Sequence, residues 1–266
     1  MTPDTPQETP DRVLLEVSEG IGHLRLNRPE KMNAFDGAQF AALADKIQEI
    51  GERRDIRCVV LSGAGRAFSV GLDMEALAAP AGSPDLIPRT YGESNVVQYC
   101  GWGLRNLPVP VIAAVHGFAF GAGFQVMLGA DIRIAAPDLE CAMMEIRWGL
   151  APDMGGIALL RSIVRGDIAR EIVLTGKRIK AEEASALGLV THVADDPLER
   201  AMEMARGIAA SSPDAIRAGK RLLNLEADAA TILMAESQEQ AALMASANHR
   251  EAVAAGIAKR PPSFRD

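Results

Sequence analysis

The chain is 266 residues long, enough for one large domain or one domain with a smaller appendage, and 48% of its residues are hydrophobic, as expected of a protein that buries a sizeable core. Its net charge of −7 argues against a broad surface for nucleic acid or anionic membrane, because gripping phosphates takes clustered positive charge. The odd set of cysteines (Cys58, Cys100, Cys141) lacks CxxC spacing and points to reduced thiols, while His23, His116, His192 and His249 show no metal-ligand spacing, so no metal is expected.

Residues 1–11 are polar, acidic and Pro-rich, without the basic flank and apolar stretch of a signal peptide. A short disordered tail is expected there. No apolar run reaches membrane-spanning length, so a cytoplasmic location is expected. Residues 13–17 and 21–26 are apolar segments around Ser18-Glu19-Gly20 and read as a β-hairpin, ended by Asn27-Arg28-Pro29. Asp36 is a good N-cap for a helix carrying Phe40, Leu43, Ala44, Ile47 and Ile50 at helical spacing, with Gly51 expected to close it.

Residues 58–61, 111–115, 132–135 and 189–193 are continuous apolar runs and read as buried strands. Helical stretches at 124–129 and 156–164 lie between them, and this alternation predicts an α/β fold. The segment 78–101 carries Pro80, Pro84, Pro88, Gly82 and Gly92, so its first half is expected to be a loop. From Pro197 onward the pattern is helical, with Ala-rich amphipathic stretches at 197–210, 213–225 and 230–257 whose apolar faces should pack on the core or on another subunit.

Two glycine-containing turns, 65–74 and 116–125, follow two of the buried strands, and each precedes an expected helix start. Main-chain N–H groups at such positions are unpaired and point outward. Two of them, one from each turn, can converge on one oxygen and stabilise it as an oxyanion. Tight strand–helix packing explains the same glycines equally well on spacing alone. Neither GxGxxG in register nor a Walker loop is present in the second turn, so a nucleotide-phosphate cradle is disfavoured.

Five segments decide between these readings. LNRPEKMNAF (26–35), GRAFSVGLDMEAL (65–77), PVPVIAAVHGFAFGAGFQVMLGADIRIA (108–135), EIRWGLAPDMGG (145–156) and LTGKRIKAEEASALGLV (174–190) resemble, in order, the successive signatures of the crotonase (enoyl-CoA hydratase/isomerase) family. The resemblance runs from about residue 12 to the C-terminus. It implies a spiral of ββα units over 12–196 and a helical region over 197–266 that oligomerises and covers CoA. It further implies a homotrimer or dimer of trimers, an acyl-CoA thioester as substrate, and no cofactor beyond the CoA that the substrate carries.

By the same resemblance, the N–H groups of Leu72 and Ala122 form the oxyanion hole for the enolate that appears when a proton leaves the α or γ carbon. Ala122 stands where Gly is usual and keeps the N–H. Glu30, Lys31 and Met32, together with Val70, Gly71, Asp73, Met74 and Gly121, would line the path of the CoA. Hydratases of the family hold a water between two carboxylates. The first falls at Gln125, which cannot act as acid or base; the second falls at Glu145. Asp153 sits where hydratases generally have Gly and dienoyl-CoA isomerases have Asp, although those isomerases also carry Asp at position 125.

Glu145 and Asp153 could therefore move a proton within one substrate, with Met143, Met144, Ile146 and Trp148 desolvating Glu145 and raising its proton affinity. The plainer roles are an ion pair with Arg147 or Arg161, or helix capping by Asp153. Double-bond isomerisation of an unsaturated acyl-CoA is the expected activity. The alternatives are hydration with Gln125 and Glu145 sharing the water, and acyl-CoA binding without turnover. His116 reads as a packed histidine, Arg66 and Lys259 as CoA-phosphate partners or ordinary surface charges, and Tyr91, Tyr99 and Trp102 as a border of the acyl pocket or as core.

Overall fold

The computed structural model describes residues 11–78 and 85–266. The tail expected at 1–11 lies outside the described residues except for Asp11, as does part of the loop expected within 78–101. The first hairpin pairs β1 (Val13–Ser18) antiparallel to β2 (Ile21–Leu26), Val13 facing Leu26. Glu19 and Gly20 make its turn with φ of 53° and 77°, the left-handed pair that a two-residue turn between twisted strands requires. After a 3₁₀ turn at Pro29–Lys31 comes α1 (Gly37–Glu52), capped by Asp36, whose carboxylate accepts from Gln39 N at 2.9 Å. The helix runs one residue beyond Gly51, because Gly51 lacks the positive φ of a terminating glycine.

The next elements repeat one plan. A strand of a large sheet leads into a short stretch of a second sheet, then into a helix or helical turn. β3 (Cys58–Gly63) passes through Ser69, bridged to Ala119, and reaches α2 (Met74–Ala78); then α3 (Val96–Asn106) returns the chain. β4 (Val111–Val115) leads to β5 (Phe118–Phe120) and α4 (Ala122–Leu128). β6 (Ile132–Ala135) leads to β7 (Glu140–Ala142) and a 3₁₀ turn at Glu145–Trp148. α5 (Gly156–Ile163), α6 (Gly166–Thr175), β8 (Ile179–Lys180), α7 (Ala181–Ala186) and β9 (His192–Val193) follow. The large sheet has the order β1-β2-β3-β4-β6-β9, parallel from β2 onward, and the small one β5-β7-β8. This is the expected spiral of ββα units.

The chain ends in α8 (Pro197–Ala209), α9 (Pro213–Asn224), α10 (Ala229–Ala245) and α11 (Ala247–Ala258). Both faces of the large sheet are covered, which is why its strands read as unbroken apolar runs. Along β3, Val59 and Leu61 join the main core with α1 and α3, whereas Cys58 and Val60 face Ala201, Ala205 and Ala209 of α8. All three cysteines are buried free thiols, and burial pushes those of Cys58 and Cys141 up to about 12.

Two further expectations are corrected. Only His192–Val193 of the run 189–193 pairs as strand, because the N–H groups of Leu189 and Val190 bond back to Ala184 O and close α7. The stretch 230–257 is two helices rather than one. Ser246 ends α10 in extended conformation, and its hydroxyl caps α11 by accepting from His249 N. No helix among the described residues is long and apolar enough to cross a membrane.

Candidate active site

The parallel strands all deliver the chain to one end of the large sheet, and the two glycine turns meet there. Asn33, fully buried, organises the first turn: its amide donates to Ala64 O and Ala67 O, both at 2.9 Å, and Ser69 Oγ donates to Asn33 O at 2.8 Å. Val70 N donates to Met32 O, Phe35 N to Gly71 O and Asp73 N to Phe35 O, so residues 30–35 run beside residues 70–73. Gly71 has φ of 94°, and a Cβ there would lie 2.8 Å from Phe120 O and 3.5 Å from Ala122 N. The turns abut only because position 71 has no side chain. Gly121, with φ of 48°, precedes α4, and its N–H is taken by Ala142 O. Among the described residues neither Leu72 N–H nor Ala122 N–H finds an acceptor. Both donors lie on adjoining turns.

Glu145 enters this space from the next ββα unit. It opens the 3₁₀ turn and is 8% exposed, and its Oε1 lies 3.5 Å from a Cβ built on Gly121. Gln125, on α4 and 1% exposed, donates from Nε2 to Glu145 Oε1 at 2.6 Å. Glu145 Oε2 is buried and has no partner among the described residues. Burial raises the proton affinity of Glu145. Its own backbone N–H and the Gln125 amide pull the other way, and the charge of Asp153 adds to the rise. Gln125 is itself held, its Oε1 accepting from Met154 N at 2.9 Å and Gly156 N at 3.1 Å.

The plainer roles for the two carboxylates do not hold. Arg147 donates to Gly176 O, and Glu145 has no ion pair among the described residues. The N-cap of α5 is Gly155, without a side-chain cap, so Asp153 does not cap that helix. Asp153 is exposed, yet the protein beside its carboxyl pushes it up. The expected apolar screen for Glu145 is only partly present. Met143 is buried, but Ile146 and Trp148 are 47% and 52% exposed, because the single turn buries its first residue and turns the following ones outward.

Of the residues expected along the CoA path, Lys31 pairs with Glu75 at 3.1 Å, Glu30 lies 3.8 Å from Arg28, and Met74 is largely exposed at the rim. Asp73 is turned inward, 2.8 Å from Arg28, and accepts from Glu75 N. Burial alone would raise its carboxyl; the Glu75 N–H and Arg28 together hold it below the usual range. Tyr91 and Tyr99 stack at 4.7 Å, and Trp102 donates to Glu93 while packing beside Gly155. His116 Nε2 bonds Gly65 O at 2.9 Å, as a packed histidine does, and Arg66 and Lys259 are exposed. The sequence pattern marks Arg28 only as part of a strand end, and marks Asn33 only as a polar residue within an apolar run (Met32, Ala34, Phe35). Among the described residues no cluster of side chains has metal-ligating geometry.

A ββα spiral that brings two amides and a buried carboxylate to one place defines a protein of the crotonase class. The model of the enoyl-CoA hydratase/isomerase family matches residues 16–266, and the chain belongs to that family of acyl-CoA enzymes. It is similar to the 1,2-epoxyphenylacetyl-CoA isomerase of Escherichia coli K12, with 36% identity over 262 residues covering 95% of this chain and 97% of that one. It is also similar to the short-chain-enoyl-CoA hydratase of Clostridium acetobutylicum, with 29% identity over 264 residues covering 94% and 96%. The crystal structure of enoyl-CoA hydratase from Bacillus anthracis superimposes with a TM-score of 0.86 at 28% identity, covering 95% of this chain and 98% of that one. The relatives carry both isomerase and hydratase names.

Proposed function

We propose that the protein moves the double bond of an unsaturated acyl-CoA by transferring one proton between the α and γ carbons. One observation carries this reading: Glu145 has one oxygen fixed by the Gln125 amide and the other buried without a partner. A carboxylate so placed is set to take a proton from carbon. Starting from a 3-enoyl-CoA, the Glu145 carboxylate accepts the α proton, the C–H electron pair forms a double bond to the carbonyl carbon, and the carbonyl π pair moves onto the thioester oxygen. The Leu72 and Ala122 N–H groups hold that oxygen as it becomes an enolate, and one such donor contributes roughly 3 kcal/mol of barrier lowering. Return of the proton to the γ carbon gives the 2-enoyl-CoA. Asp153 is the second proton carrier. The chemistry needs no metal and no cofactor beyond the substrate's own CoA.

Gln125 argues against the two-carboxylate arrangement of a hydratase, since it neither takes nor gives a proton and its acceptor oxygen is already used twice. The exposed Leu233, Met234, Met244 and Ile257 of the last two helices support assembly into a homotrimer or dimer of trimers. The test is turnover of 2-enoyl-, 3-enoyl- and 3,5-dienoyl-CoA by one preparation, with 1,2-epoxyphenylacetyl-CoA added because of the isomerase relative. Conversion of 3-enoyl- to 2-enoyl-CoA is expected. Hydration of the 2-enoyl-CoA without isomerisation overturns the reading in favour of a hydratase; binding without turnover of any of them makes the protein a non-catalytic acyl-CoA binder.

A further inference from the structure

Gln125 spans three groups from two separate segments. Its Nε2 donates to Glu145 Oε1 at 2.6 Å, and its Oε1 accepts from the N–H groups of Met154 and Gly156, one and three residues after Asp153. The amide orientation is thereby fixed, because only oxygen can accept the two backbone N–H groups and only nitrogen can donate to the carboxylate. Gly156 leaves room for this: a Cβ there would lie 2.6 Å from Gln125 Cγ and 2.8 Å from Cδ. α3 presses on the same joint from behind, a Cβ on Gly101 meeting Gln125 O at 3.2 Å.

We propose that Gln125 is a positioning residue that decides between isomerisation and hydration. The clamp holds Glu145 with Oε2 free and keeps the loop carrying Asp153 in a fixed relation to it. It also sets beside Glu145 an amide whose acceptor oxygen is already taken by two backbone N–H groups, so a water at Glu145 finds no second base there. Protons then move on the acyl chain, and water does not add across its double bond. This rests on the isomerase reading given above.

Gln125→Glu is the direct test. The new carboxylate can still accept from Met154 N and Gly156 N, but it brings an oxygen against Glu145 Oε1 where a donor stood. The two acids then titrate as a pair, with an upper step raised by about one pH unit or more. The expected result is an acid limb of kcat/KM moved up by that amount. Isomerisation kcat should fall at least about tenfold with KM changed by less than about threefold, since the CoA contacts lie elsewhere. Hydration of a 2-enoyl-CoA should rise above that of the unaltered protein.

A folded Gln125→Glu variant with unchanged acid limb and product ratio overturns the proposal. A second measurement needs no variant. In the ¹⁵N-labelled unaltered protein, one side-chain N–H of Gln125 should be shifted downfield, protected from exchange, and should titrate with the acid limb of activity. A freely exchanging, pH-indifferent Gln125 amide also overturns the proposal. The functional reading fails separately, and visibly, if the unaltered protein hydrates and does not isomerise; the proposal fails alone if it isomerises and the variant keeps both profile and products.

Discussion

Glu145 works against the fold that holds it. Its raised proton affinity comes first from burial, which disfavours the carboxylate in the folded chain. The contribution to stability is therefore fully present below the ordinary glutamate range and is lost as pH rises through the raised folded-state value. Glu145→Gln removes that loss while an amide oxygen can still accept from Gln125 Nε2. The variant should unfold at a temperature equal to or above that of the unaltered protein at pH 7–8, and the difference should close below the carboxyl range. Its activity should fall about 10²–10⁴-fold, as expected when a general base is removed. In the proposed mechanism the ionised form takes the proton, so kcat/KM should decline as pH falls, with a midpoint above the ordinary glutamate value. Full activity in Glu145→Gln, or a midpoint at or below that value, would take Glu145 out of the mechanism. The residue that holds it, Gln125, was legible in the sequence only as a missing carboxylate. Its bonds to Met154 N and Gly156 N depend on where two distant backbone amides come to rest, which no side-chain pattern encodes.

At the scale of elements, the strands and helices were legible wherever burial leaves a pattern. β3, β4 and β6 are apolar without interruption because both faces are covered, and α1 shows its buried stripe and its Asp36 cap. The run 189–193 misled because a buried helix-closing turn and a buried strand have the same composition; the bonds to Ala184 O make the difference. The two glycine turns were legible as punctuation, but their contact with each other was not. That contact gives a prediction. Gly71→Ala combines φ of 94° with a Cβ 2.8 Å from the carbonyl oxygen of Phe120, a backbone atom that cannot swing away. It should cost about 1–3 kcal/mol of stability. It should also lower kcat more than about tenfold by displacing the neighbouring Leu72 amide. Gly207→Ala is the contrast: it lies in α8 with nothing within 4 Å of the added Cβ, and should stabilise by about 0.5–1 kcal/mol without changing turnover. Thermal unfolding and steady-state kinetics on the two variants check both, and equal effects would mean that the close approach of the turns is unimportant.

Across the whole molecule, strand direction divides the protein into two ends. The turns that follow β3 and β4, and Glu145 after β7, lie beyond the strands' C-terminal ends. The N-terminal ends are tied to the helical region instead. Lys220 of α9 is 6% exposed, and its ammonium donates to Asp131 at 2.7 Å and to Val109 O at 2.9 Å, just before β6 and β4 begin. Asp131 also accepts from Val111 N at 2.7 Å, so one carboxylate joins α9 to the start of β4. The same end carries a groove of about 640 Å³ lined by Arg53, Arg54, Arg217 and Arg221. Asp214 and Glu239 line it too, the latter paired with Arg221, so it is not a simple anion site. Burial holds the Lys220 amine below its usual range, a sign that desolvation outweighs the attraction of Asp131. Breaking such a pair is costly all the same, because the carboxylate left behind has lost its counter-charge. Lys220→Met should destabilise the protein by about 3–5 kcal/mol. Asp131→Asn in the same chain should restore part of this, since it removes the stranded charge and keeps an oxygen for Val111 N. Well below the unfolding temperature kcat/KM should stay within about twofold, because the pair and the two glycine turns sit at opposite ends of the same strands. Activity that falls in a fully folded Lys220→Met protein would show that the helical region reaches the chemistry through the sheet rather than merely holding its far end.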